Sequence, residues 1–251
     1  MLGTVKKAGD VIGLFTRDQP ELGVTEVAGA LGIPKSTAHA LMNSLVQIGL
    51  LRRTSGNRYR LGWRLLDLGF LLVETTEFRR EAVPVMQRLA DRYGETVLLA
   101  VLDGLQVICI EKIEGSRGAR RAPWSAGARA PAHLSAARKV LLAGRPWEEV
   151  EHLLTQPGPH GLPDWVMVDR ERLKAELEQI RESGFAWEQE ASAPEYWSVA
   201  APVVEGAGQT VAAISLSVPG CRFHQGRDQF QREILRAALE VSESIGYDGS
   251  P

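Results

Sequence analysis

The sequence predicts an α+β protein in two parts: a small helical head closed by a β-hairpin, and a larger body whose helices flank an antiparallel sheet. Three observations predict it. Apolar residues recur at helical spacing through the first 48 positions. Two short runs around Gly56-Asn57 then change the period to that of strands. Beyond Gly94, strand-like and helix-like stretches are interspersed, with hairpin turns at Asp103-Gly104 and residues 205–208. A length of 251 residues fits one large domain or two modest ones and is ample for a hydrophobic core.

The head starts with Val5, Ala8, Val11, Ile12, Leu14 and Phe15, a first helix ending before Asp18-Gln19-Pro20. Gly23 precedes a second helix. Glu26, three residues on, is spaced to reach back to the free amide at the helix start. Val27, Ala28 and Leu31 form its apolar face, and Gly32-Ile33-Pro34 breaks it. A third helix spans residues 34–48 with a buried stripe of Ala38, Leu41, Leu45 and Ile48, and Gly49 stops it. Residues 50–54 and 58–61 are the arms of a hairpin. Three helices followed by a hairpin is the winged helix-turn-helix plan.

Residues 63–78 are apolar at helical spacing and read as a linker helix, followed by an amphipathic helix over 79–93. Residues 96–102 and 106–113 read as strands, 135–143 and 147–154 as helices, and 169–183 as a charged helix closed by Gly184. Residues 185–190, 196–204 and 210–218 are strands, and 227–245 the final helix. The expected domains are 1–62 for the head, 63–78 for the linker and 79–248 for the body.

No apolar run reaches the roughly 18 residues that span a bilayer, and residues 1–10 lack the apolar core of a signal peptide. A cytoplasmic protein with no membrane partner is expected. Cys109 and Cys221 are too few for a disulfide framework and are expected to be buried thiols. The net charge is −2, unevenly spread. Residues 1–63 hold eight bases and four acids, so the head is +4 and the remainder −6. A basic head on an acidic body suits a nucleic-acid module joined to something else.

Lys35, His39 and Asn43 lie four apart and share a face of the third helix, flanked by Ser36, Thr37 and Gln47. Such side chains bond phosphates or base edges, and a major groove admits a helix. A merely solvated polar face is the alternative. Arg52, Arg53, Arg58 and Arg60 place four guanidinium groups on a hairpin that holds no acid. They repel one another unless an anion is near, and phosphate is the anion expected.

The words Thr25-Glu26-Val27-Ala28, Gly32-Ile33-Pro34-Lys35-Ser36-Thr37-Ala38-His39 and Tyr59-Arg60-Leu61-Gly62 resemble the DNA-binding domain of the IclR family of bacterial regulators. The resemblance continues through residues 79–86 and 96–100, through Pro131-Ala132-His133-Leu134-Ser135-Ala136-Ala137-Arg138-Lys139, and through residues 200–203 and 212–217. It covers about 240 residues in order.

The resemblance implies a transcriptional regulator, a repressor of a catabolic operon, bound to double-stranded operator DNA as a homodimer or a dimer of dimers. It implies a profilin-like or GAF-like effector domain that takes a small organic acid or aromatic compound. Carried over residue by residue, the effector contacts are Ala136 and Ala137 at the tight start of a helix, Glu188, Ser198, and the same-face pair Ser215 and Ser217. The chain departs from the family's pattern at Arg138, where a glycine is usual, and at Ala40, in place of a frequent arginine. Ala119, Ala122 and Ala130 stand where larger apolar residues are common. Trp124 and Trp197 are candidate pocket walls, with Trp187 nearby in sequence. Core or interface roles are the alternative for all three.

An enzyme acting on a small metabolite and a ligand-independent DNA-binding protein are the rival readings. No Gly-x-Ser-x-Gly elbow surrounds Ser135, and His133, His152, His160 and His224 have no metal-ligand spacing. Neither a catalytic residue nor a cofactor is expected.

Overall fold

The computed structural model describes residues 3–104, 106–117, 136–155, 169–189 and 194–249, and the backbone of residues 129 and 130. The chain divides into two compact units, residues 1–75 and 76–251.

In the first unit, α1 (Gly3–Gly13), α2 (Val24–Leu31) and α3 (Lys35–Gln47) surround a small core. Val11, Val27, Ala38, Leu41, Met42, Leu45, Leu51 and Tyr59 are buried in it. Met42 completes the stripe of α3, whereas Ile48 is exposed just past the helix end. The helical period explains the exchange: Ala38, Leu41, Met42 and Leu45 follow the three- and four-residue steps of one face. Gly32 caps α2 in the left-handed conformation, φ 63°, which glycine adopts without a Cβ clash.

The hairpin forms from β2 (Leu51–Arg53) and β3 (Arg58–Leu61), with β1 (Leu22–Gly23) as a third strand on β3. Leu22 pairs with Tyr59 and Gly23 with Arg58. Such a short strand carries no periodicity of its own, so its pairing was not legible in the sequence. The Gly62 amide donates to the Leu50 carbonyl at 2.8 Å, and a Cβ at Gly62 would overlap the Gly49 carbonyl oxygen. Glycine is required there by close approach of two backbones. The linker helix α4 (Arg64–Glu74) follows and ends earlier than expected, at Thr75.

In the second unit, α5 (Glu77–Tyr93) leads into β4 (Thr96–Asp103) and β5 (Gln106–Ile113). The two-residue β6 (Arg129–Ala130) precedes α6 (Ala136–Ala143), α7 (Trp147–Thr155) and α8 (Arg170–Ser183). Three elements close the unit: β7 (Ala186–Gln189), β8 (Tyr196–Val204) and β9 (Thr210–Pro219). The sheet order is β6-β5-β4-β9-β8-β7, antiparallel at every pairing.

The final helix α9 (Gly220–Ser244) starts seven residues before the expected position, and Gly226 interrupts its helical dihedrals. Glycine spacing reads as a loop here, but Phe223 is buried against the sheet and holds the first turns down.

Alternation along β8 and β9 sorts the side chains onto two faces. Val199, Ala201, Ile214 and Leu216 meet α5 and α9. Ala200 and Ala213 meet the layer of α6, α7 and α8. Cys109 is buried, and that desolvation pushes its thiol up to about 11; Cys221 is exposed, contrary to expectation. Among the described residues no helix is long and apolar enough to cross a membrane.

Candidate functional site

Helix α3 presents Lys35, Ser36, His39 and Gln47 to solvent, with Thr37 and Asn43 half-buried beside them. Its N-cap is Pro34, which offers no side-chain hydrogen bond. The amides of the first turn are therefore left for an outside acceptor such as a phosphate oxygen. Asn43 Nδ2 lies 3.3 Å from the His39 ring nitrogens, and Arg53 Nη2 donates to Asn43 Oδ1 at 2.5 Å. Two of the expected recognition residues and one from the wing thus come together.

Two of the four wing arginines have carboxylate partners within the head. Arg58 donates to Glu26 at 3.0 Å and to the Glu21 carbonyl at 2.9 Å. Arg60 reaches Glu21 at 3.2 Å, and the Thr54 hydroxyl donates to the same carboxylate. The Thr54 hydrogen bond, partly opposed by desolvation and helped by Arg60, holds the Glu21 carboxyl below its ordinary pKa. The Gly23 amide and then Arg58 do the same for Glu26. Arg52 lies over the Trp63 ring at 5.6 Å and Arg53 over Tyr59 at 5.7 Å.

The hairpin holds no acid, but β1 and the first turn of α2 carry Glu21 and Glu26 to it. Glu26 was legible as a helix-start residue. Its second role depends on the β1–β3 pairing.

In the body, Glu188 pairs with Ser198, Ser198 with Ser217, and Ser217 with Thr96, a polar row across β7, β8, β9 and β4. Ser215 lies one step along, between Ala200 and Leu98. All of these are on the face toward α6. Ser198, Ser215 and Ser217 are each 3% exposed, and Thr96 is 1% exposed. Ser198 Oγ and Thr96 Oγ1 are buried without a hydrogen-bond partner. An unsatisfied buried hydroxyl costs about 1–3 kcal/mol. A ligand that bonds it recovers that cost.

Ala136 and Ala137 are buried at the start of α6. Lys139 donates to Glu176 of α8 at 2.5 Å and to Glu188. Burial disfavours its charge, but the two carboxylates outweigh burial and raise its pKa. Arg138 is fully buried, and desolvation lowers its guanidinium to about 8, still a cation at neutral pH. Thr96 was missed from sequence. Only its register with Ser217 gives it away.

Trp197 does not join this row. It lies on the opposite face, paired with Val218, and stacks on Phe223 at 5.1 Å with ring planes 14° apart. Neighbours in a strand point to opposite sides, so Ser198 and Trp197 cannot line one face. Trp187 is on the same side as Trp197, edge-on to Phe223 at 5.3 Å, with Arg227 over its ring. Trp124, Ala119, Ala122, His133, Ser135 and His160 lie outside the described residues, as does the side chain of Ala130. Among the described residues no cluster of three or more histidine, cysteine or acidic side chains is placed to hold a metal ion.

A helix that buries one face in the core of its unit and leaves a polar face open beside a wing is built to lie on DNA, and the second unit holds buried hydroxyls without partners. The class is that of winged-helix transcriptional regulators. The chain belongs to the IclR family: the IclR helix-turn-helix domain matches residues 4–55, and the C-terminal domain of bacterial transcriptional regulator IclR matches residues 70–243.

It is 32% identical over 249 residues to the HTH-type transcriptional regulator XynR of Escherichia coli, covering 98% of each chain. It is 29% identical over 229 residues to the transcriptional repressor IclR of the same organism, covering 90% of this chain and 83% of that protein. A solved IclR homologue from Microbacterium hydrocarbonoxydans, complexed with 4-hydroxybenzoate, shares the fold with a TM-score of 0.77 at 23% identity, covering 97% and 99% of the two chains. The protein is a DNA-binding transcriptional regulator and not an enzyme.

Proposed function

We propose that this chain represses a catabolic operon from the bacterial cytoplasm and that a small organic acid or aromatic compound, bound on the α6 face of the body's sheet, changes its hold on the operator. The observation that carries the reading is the pair of buried, unpartnered hydroxyls of Ser198 and Thr96. Ser215, Ser217, Glu188 and the helix start at Ala136 and Ala137 complete the contact set proposed, and Trp197 is left out of it. The bound 4-hydroxybenzoate of the Microbacterium homologue suits a site with hydroxyl donors on a small-residue floor.

The working parts proposed are residues 1–62 on DNA, 63–78 as linker and 79–248 as sensor. Lys35, Ser36, Thr37, His39 and Asn43 enter the major groove. The proposed form on DNA is a homodimer, or a pair of dimers, on a palindromic operator. Support comes from α4 and its flank, where Trp63 (70% exposed), Leu66 (49%), Phe70 (57%) and Leu72 (70%) are open. An apolar helix surface of that extent calls for cover, and a second copy supplies a matching one. The effector acts only if it binds one arrangement of the dimer better than the other.

The test is thermal unfolding of the full chain with 4-hydroxybenzoate and with short aliphatic hydroxy acids. A ligand at 100 times its Kd adds about 2.7 kcal/mol. Ser198→Ala and Thr96→Val should each reduce that shift. Equal shifts in the parent and both variants would place the ligand elsewhere.

A further inference from the structure

We propose that Arg53 is a positioning residue for base reading: through Asn43 it fixes His39 on α3, so that the wing sets the geometry of the recognition helix. The inference rests on the reading of α3 as the helix that enters the groove.

Asn43 stands at the join. Its carbonyl oxygen accepts from Arg53 Nη2 at 2.5 Å and from the Tyr59 hydroxyl at 3.4 Å. Tyr59 is fully buried, and the Arg53 guanidinium lies over its ring at 5.7 Å. Arginine has donors only. Turning the amide over would set its NH2 against the Arg53 donors, so the orientation of Asn43 is fixed from the wing side. The fixed amide then points its Nδ2 one helical turn back, to within 3.3 Å of both His39 ring nitrogens. Being equally near both nitrogens, Nδ2 lies against the imidazole ring and not along one nitrogen's lone pair, so the contact restrains the ring as a whole. Asn43 thereby holds an exposed ring that would otherwise sample several rotamers. Fixing the reading side chain before DNA arrives favours the matched sequence over all others.

A guanidinium that clamps a phosphate behaves differently. Its loss weakens every sequence alike and lowers the salt slope by about 0.9 per phosphate contact. A positioning residue changes the ratio of matched to unmatched binding and leaves the slope alone.

The test uses the full chain and two duplexes: the one it enriches from a random-sequence library, and a scrambled duplex of the same composition. Arg53→Met should cut the matched-to-scrambled affinity ratio about tenfold, at the low end of one base-contact's worth, with scrambled binding and salt slope unchanged. Arg53→Lys, which keeps a donor, should recover part of the ratio and guards against a folding defect. Asn43→Ala should lower the ratio as well, and the double variant should lose no more than Asn43→Ala alone.

Losses that add, or a salt slope that falls with an unchanged ratio, would overturn the positioning role while leaving α3 as the reading helix. An unchanged ratio in both Asn43→Ala and His39→Ala would overturn the reading of α3 and the positioning role together.

Discussion

The Arg58 guanidinium sits 3.0 Å from the Glu26 carboxylate and ties the wing to the first turn of α2. Arg60 and Thr54 make the same kind of tie to Glu21. The wing's orientation is thus fixed by acids that precede it by more than 30 residues.

These ties give the head an acid-sensitive wing. Both carboxyls titrate below their ordinary value of 4.5 in the folded head. Their contribution is complete above that value and is lost as pH falls through the lowered ones. Hydrogen-exchange protection of the amides of residues 51–61 should decline as pH falls below 4.5. In a Glu21→Gln/Glu26→Gln variant, protection should start lower and depend less on pH over that range. An equal pH dependence in both proteins would show that the ties contribute nothing.

Gly62→Ala should destabilise the head by overpacking, by about 1–3 kcal/mol. The added methyl meets the Gly49 carbonyl, which is backbone and has no rotamer through which to retreat. Gly69→Ala, where a methyl meets nothing within 4 Å on a helix, is the control and should be neutral or stabilising. Urea denaturation of the two variants measures the difference.

Adjacent substitutions on β8 should separate ligand from core. Ser198→Ala removes a hydroxyl that has no partner, so the unliganded protein should keep or gain stability while ligand-induced stabilisation falls. Trp197→Ala strips the Phe223 stack on the opposite face. It should cost stability, up to the roughly 3–5 kcal/mol of a core aromatic, with the ligand shift retained. Thermal unfolding with and without ligand reads both.

Lys139→Met should loosen α6 from α8 and β7, leaving Glu176 and Glu188 close together without their shared cation. A lost hydrogen bond to a charged group costs about 1.5–3 kcal/mol, and the half-open position of Glu176 places the effect toward the lower end. The raised Lys139 pKa means that the tie is complete below the ordinary lysine value of 10.5 and fails only above the raised one. Stability near neutral pH should therefore not depend on this lysine's titration, and alkaline unfolding of the variant should begin from a lower plateau. A variant as stable as the parent would mean that the two carboxylates relax into solvent at no cost.

Much of the architecture was legible because periodicity is local. Val27, Ala28 and Leu31 mark α2 at helical spacing, and Tyr196 to Val204 mark β8 by their β-branched, apolar run. Boundaries failed where tertiary packing overrode local preference. Phe223 draws Gly220 and Cys221 into α9, and β1 is a strand only because β3 lies beside it. The candidate site was legible in part. Ser215 and Ser217 share a face by their spacing of two, and Glu188 and Ser198 are in register with them. Trp197 has the core role left open for it, because it faces the other side of its strand from Ser198, which its mere presence in the segment does not reveal.

The sequence by itself determined the two-part plan, the polar face of α3 and the family, since each rests on residues close together in the chain or on words read in order. Tertiary structure decided which charges are paired and which hydroxyls face α6. Arg58 and Arg60 are ion-paired because β1 pairs with β3, and Thr96 joins Ser198 and Ser217 because β4 lies beside β9. Electrostatic pairing and hydrogen bonding act over a few ångströms of space, and residues that meet at that range here are separated by 32 to more than 100 positions in the chain.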